Sequence, residues 1–127
     1  MLATKKRILV VDDELIITHA LKKFLGGTGA YEVRTENRPT QALQAAREFE
    51  PDLIILDIQM PQLEGGELAS LLREDPALKE TPIIFLTALV QRREVRESGG
   101  TIGGFRFIAK PLVPKMVIDT IETVLAA

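Results

Sequence analysis

The sequence predicts an α/β fold, a parallel sheet with helices on both faces, and three observations carry that prediction. Short apolar runs of strand length recur along the chain, and each is followed by a stretch with helical spacing. The runs at 7–11, 52–56 and 83–87 are continuous rather than alternating. Alternating strands and helices imply right-handed βαβ units. A strand covered by helices on both faces is apolar on both, so those three runs read as central strands.

The elements follow in order. "RILVV" (7–11) is the first strand. Leu15, Ile16, Ala20, Leu21, Phe24 and Leu25 then fall near helical spacing, and Gly26-Gly27, followed by Gly29, marks the stop. "YEVRTE" (31–36) alternates, as an exposed or edge strand does. Pro39 suits the first turn of a helix whose inner face carries Ala42, Leu43, Ala46 and Phe49. "DLIIL" (52–56) is the second buried run and meets Asp57. Residues 67–75 are helical by composition, Pro76 and Pro82 bracket a loop, and "IIFLT" (83–87) is the third buried run. Residues 88–98 read as a polar helix with a thin apolar face, "GGTIGG" (99–104) as turns, and "FRFIA" (105–109) as the fifth strand. Pro114 starts the last helix. No repeat or linker divides the 127 residues, so residues 1–127 are read as one domain.

Composition removes several classes of function. A net charge of −2 gives no broad basic surface, so direct nucleic-acid binding is not expected. The absence of cysteine removes disulfide and thiolate chemistry and fits a reducing compartment. No apolar segment has the length of a membrane span, and the run after "MLATKKR" is too short for a signal peptide. The expectation is a cytoplasmic domain with no membrane partner.

In parallel sheets, ligands bind outside the carboxyl ends of the strands. The residues at those ends are Asp12, Asp13, Asp57, Thr87 and Lys110. Asp12, Asp13 and Glu14 stand in a row where an apolar strand stops. Such acids must cap the next helix or meet a cation. Oxygen ligands of this kind suit Mg²⁺, whereas a chain with no cysteine and one histidine has little to offer zinc or copper. A metal, a lysine and a hydroxyl around a spare carboxylate can neutralise a phosphoryl group, and the carboxylate can accept one as an aspartyl phosphate.

Over essentially the whole chain the sequence resembles the receiver domains of two-component response regulators. The resemblance is carried by "ILVVDDE", "LIILDIQMPQLEGGEL", "PIIFLTA" and "FIAKP", in that order. It implies a flavodoxin-like fold with five parallel strands in the order 2-1-3-4-5. It also implies that Asp57 accepts the phosphoryl group and that Asp12 and Asp13 hold Mg²⁺ with Asp57, Gln59 adding its backbone carbonyl. Thr87 and Lys110 would contact the phosphoryl oxygens, and Phe107 would change rotamer together with Thr87. The implied partners are a sensor histidine kinase or phosphotransfer protein, and a downstream target or output domain on another chain; homodimerisation is open. Such a domain phosphorylates and dephosphorylates itself rather than turning over a substrate. The resemblance fits either a stand-alone receiver or a part of a longer regulator.

Blander readings accompany each residue. Asp12 and Asp13 could cap a helix, Thr87 could be a packed strand residue, and Lys110 an ordinary surface lysine. His19 reads as a solvated or half-buried helix residue, and Arg92, Arg93 and Arg96 as a solvated helix face. Leu89, apolar two residues past Thr87, is expected to hinder water and prolong phosphorylation. Two rival functions stand beside the first. One is an aspartyl phosphatase, disfavoured by Gln59 where a second carboxylate is wanted; the other is a phosphate-independent interaction module on the same fold.

Overall fold

The structure is a computed structural model that describes residues 5–60, 63, 65–88, 101–102 and 105–126. Strand β1 (Lys6–Val11) leads to helix α1 (Leu15–Gly27), and β2 (Tyr31–Glu36) leads through a 3₁₀ turn at Pro39–Gln41 to α2 (Ala42–Phe49). Then come β3 (Leu53–Asp57), α3 (Gly65–Glu74), β4 (Ile83–Thr87), β5 (Thr101–Ile102), β6 (Phe105–Ala109) and α4 (Pro114–Ala126).

The sheet order is β2-β1-β3-β4-β6-β5. Five strands are mutually parallel; counted along the chain without β5, they stand in the order 2-1-3-4-5, as the resemblance implies. The chain grows from β1 toward β2, then reverses toward β3, β4 and β6. With right-handed crossovers, that reversal sends α1 to one face and α2 and α3 to the other. The crevice between β1 and β3 is therefore the topological switch point.

Two cores seal the two faces. Ile8, Val10, Ile55, Ile84 and Leu86 pack with Leu21 and Leu25 of α1 and Val117 and Ile121 of α4. Their strand neighbours Leu9, Val11, Ile54, Leu56 and Phe85 pack with Ala42, Ala45 and Ala46 of α2 and Leu68 and Leu72 of α3. Successive strand residues point to opposite faces, so a strand buried on both must be apolar throughout. Each large side chain among them contributes roughly 1.5–3 kcal/mol by leaving water. Strand β2, at the edge, is exposed at Glu32 and half-buried from Val33 to Glu36, in keeping with its alternating sequence.

The structure departs from the sequence expectation in four places. Helix α1 runs through Gly26 and Gly27, and Gly29, at φ 77°, takes the left-handed conformation that ends the turn. Leu15 and Ile16 do not join the core, being 70% and 82% exposed. Helix α3 starts two residues early, at Gly65, because that glycine lies directly against the Asp57–Ile58 backbone. Thr101 and Ile102, inside the stretch read as turns, pair antiparallel with β6. The expected helix at 88–98, including Leu89 and its arginines, falls outside the described residues apart from residue 88.

Candidate functional site

Three strand ends and one loop build the rim. Strand β1 carries Val11 into the fully buried Asp12 and the exposed Asp13. Strand β3 ends on Asp57, 3% exposed, and β4 on Thr87, fully buried. Thr87 lies beside Ala109 in the β4–β6 ladder, and the Lys110 N–H donates to its carbonyl at 2.9 Å. That register delivers the Lys110 side chain to the acids across the sheet.

Carboxylate oxygens of Asp12, Asp13 and Asp57 all lie within 4.8 Å of one another. The Lys110 ammonium stands 3.0 Å from Asp12 Oδ2, 3.0 Å from Glu14 Oε1 and 3.6 Å from Asp57 Oδ1. Asp12 Oδ1 accepts the Glu14 N–H at 2.9 Å, and Asp57 Oδ1 accepts the Gln59 N–H at 3.3 Å. Asp12 Oδ2 is buried, and the Lys110 ammonium is the one cation close to it among the described residues, against two neighbouring carboxylates. A single ammonium thus serves several carboxylates, and a buried carboxylate is costly unless a cation offsets its charge.

The electrostatics follow from this shortage of positive charge. Burial, then the neighbouring Asp12 charge, pushes the Asp57 carboxyl up from 3.8 to about 6, against the pull of Lys110 and the Gln59 N–H; Asp13 adds to the rise. Burial also raises Asp12, opposed by the Glu14 N–H and by Lys110. For Lys110, burial works against the charged form, but the bonded Glu14 and Asp12 carboxylates and the nearby Asp57 outweigh it and hold its pKa above the usual lysine value. An all-oxygen donor set of three carboxylates with a single shared ammonium fits a hard divalent cation, with Asp12, Asp13 and Asp57 as the residues able to hold it.

The remaining expectations fall as follows. Neither Asp12 nor Asp13 caps α1; the N-cap is Glu14, whose side chain makes no capping bond. Gln59 is in the loop beside Asp57, with its N–H on that carboxylate. Phe107 is buried under the rim, its ring centroid 5.2 Å from that of Phe85 at 31°. His19 lies exposed on α1.

Three supporting residues escaped the sequence reading. Asn37, just past β2, donates to the Asp12 carbonyl at 2.9 Å and to Thr18 Oγ1 at 2.8 Å, pinning the acidic loop to the edge strand. Gly65 donates its N–H to the Ile58 carbonyl at 3.0 Å, and a Cβ there would lie 2.4 Å from the Asp57 carbonyl oxygen. Glu14 reaches Lys110, 96 positions away. The doubled glycine before a helix was the one available signal for Gly65. An asparagine at a strand end, as at Asn37, more often signals a turn.

Comparison with known proteins bears on the family and the fold. The chain matches the family described as the response regulator receiver domain over residues 8–122. It is 31% identical over 123 residues to the polar-differentiation response regulator DivK of Brucella anthropi, covering 94% of this chain and 96% of that protein. It is 39% identical over 121 residues to the probable transcriptional regulator ycf27 of Pyropia yezoensis, covering 95% of this chain but 48% of that relative. The chain thus spans nearly all of one kind of relative and about half of another. Among solved structures, the chemotaxis protein CheY4 of Vibrio cholerae superposes with a TM-score of 0.81 at 30% identity, over 95% of this chain and 99% of that one. A putative response regulator from Chloroflexus aurantiacus gives 0.82 at 31%, over 98% and 100%. With the parallel order 2-1-3-4-5, the acidic switch-point rim and these likenesses in agreement, the chain belongs to the response regulator receiver domain family.

Proposed function

We propose that this domain accepts a phosphoryl group on Asp57 from a phosphohistidine of a sensor kinase or phosphotransfer protein, or from a small phosphodonor, in the presence of Mg²⁺. The observation that carries the reading is the buried carboxylate of Asp57 facing two further aspartates with one shared lysine. Asp12, Asp13 and Asp57 would hold the cation, with the Gln59 carbonyl as a further oxygen. When bound, Mg²⁺ would offset the charge on the phosphoryl oxygens. Asp57 attacks the phosphorus in line with the P–N bond; that bond breaks, the electron pair leaves with the imidazole nitrogen, and an acyl phosphate forms. Lys110, 3.6 Å from Asp57 before transfer, pairs with the new phosphoryl oxygens, and Thr87 donates its hydroxyl to one of them. Phe107, packed on Phe85 below Thr87, moves with it, which biases the β4–β6 face between two conformations. Water attack on the acyl phosphate resets the switch. The readers of that face are downstream proteins or an output domain, and the compartment is the cytoplasm.

The test is intact mass after incubation with MgCl₂ and acetyl phosphate. One added phosphoryl group is expected in the wild type, absent without Mg²⁺ and absent in Asp57→Asn. No gain under any condition would overturn the reading and favour an interaction module that works without phosphate.

A further inference from the structure

Glu14 sits at the mouth of the site with an arrangement that its local position does not require. As the N-cap of α1 it has extended backbone angles, φ −86° and ψ 112°, and its carbonyl accepts the N–H groups of Ile17 and Thr18. Short polar side chains at that position turn back to bond the first helical N–H groups, and the longer glutamate makes no such bond here. The Glu14 carboxylate instead accepts a hydrogen bond from Lys110 at 3.0 Å, as close as the lysine stands to Asp12 and closer than its 3.6 Å to Asp57. Glu14 is 57% exposed at its side chain and Lys110 only 12%, so the glutamate grips the ammonium from the solvent side.

We propose that Glu14 is a positioning residue that draws the Lys110 ammonium off Asp57 until a phosphoryl group arrives. The inference rests on the phosphoryl-acceptor reading and adds a regulator of it. Two consequences of opposite sign follow. Holding the lysine outward leaves the Asp57 oxygens free for a cation, and the Glu14 charge itself favours that cation, so Glu14 strengthens Mg²⁺ binding. The same carboxylate repels an anionic phosphodonor and competes with the phosphoryl group for Lys110, so Glu14 slows phosphorylation. A residue that merely supported the loop would move both quantities the same way.

The experiment combines calorimetric MgCl₂ titration of unphosphorylated protein with initial rates of phosphoryl gain from acetyl phosphate at saturating Mg²⁺. The variants are Glu14→Gln, Lys110→Met and the double substitution. Glu14→Gln is expected to weaken Mg²⁺ binding by about threefold, the scale of one partly exposed ion pair, and to speed phosphorylation by about as much. In the Lys110→Met background most of the Mg²⁺ effect should disappear, because the two residues act as a pair. A loss of both affinity and rate in Glu14→Gln would overturn the proposal, and so would an affinity loss undiminished without Lys110. If the wild type takes up no phosphoryl group at all, the reading of Asp57 fails, and the calorimetric cycle still decides whether Glu14 acts through Lys110.

Discussion

Two buried aspartates at opposite ends of the sheet show opposite responses to their surroundings. Asp75, where α3 ends at the amino edge of the strands, has Arg47 at 2.6 Å and the Ala77 N–H at 2.9 Å on its carboxylate. These partners, Arg47 first, hold its pKa below the usual value. Nearby, the Asp52 carboxylate accepts the Arg7 N–H at 2.8 Å. Asp57, at the carboxyl edge, is pushed up to about 6 by burial and by Asp12, with only a shared lysine to oppose them. At the amino edge these two acids are answered locally, one by an arginine and a backbone N–H and the other by a backbone N–H. The carboxyl edge stores repulsion that a cation or phosphoryl chemistry can relieve. The difference between an acid that supports the fold and one that works lies in its company.

The largest break in this comparison should come from Gly65→Val. A Cβ at this position would meet the Asp57 carbonyl oxygen at 2.4 Å and the Ile58 Cα at 2.6 Å, both backbone atoms that cannot rotate away. Urea unfolding should show a loss of about 3 kcal/mol, with phosphoryl uptake lost as the Asp57 loop shifts; Gly65→Ala should lose less of each. Wild-type stability in the valine variant would mean that α3 can slide off the loop without cost.

Next in size is the pH response without metal. Asp57 has a folded pKa near 6 against an ordinary 3.8, so the folded state binds the proton more tightly than the unfolded chain. Its contribution is fully favourable below 3.8 and is lost as pH rises through 6. Melting temperature should therefore rise as pH falls from 7 toward 5. Asp57→Asn should melt above the wild type at pH 7 and lose about half of that advantage by pH 5. A flat profile in the wild type would show that Asp57 is better compensated than its neighbours indicate.

Adding Mg²⁺ at ten times its dissociation constant should restore about 1.4 kcal/mol at pH 7, and less at pH 5, where protons compete for the same carboxylates. The smallest effect belongs to the other edge. Arg47→Ala should lower stability by the same small amount with and without Mg²⁺, since Arg47 is largely exposed and Asp75 lies away from the rim. A Mg²⁺-dependent Arg47 effect would show that the two edges communicate.

The fold was legible because each central strand must be apolar on both faces, and runs such as Leu53–Leu56 leave little room for another reading. The rim was legible for a related reason: Asp12, Asp57 and Lys110 each follow directly on an apolar strand, where charge is expensive. What the sequence hid depends on distance in space. Glu14 looked like a third member of an acid row, and nothing local tells that it reaches Lys110. Asn37 resembles a turn residue until Thr18 and the Asp12 carbonyl are seen beside it. Leu15 and Ile16 matched the helical period yet face solvent, whereas Ile17 and Thr18 in the same turn are turned inward. With so many apolar residues near one period, the sequence does not say which of them face the sheet.

The separation of the two cores from the rim has a consequence for how such domains diversify. None of Asp12, Asp13, Glu14, Asp57, Gln59 or Lys110 belongs to either apolar cluster. The carboxyl edge resembles a socket mounted on a sealed chassis. Its fittings can be exchanged one loop at a time, resetting how fast a signal is taken up and how long it lasts, while the apolar side chains that seal the two faces of the sheet stay the same.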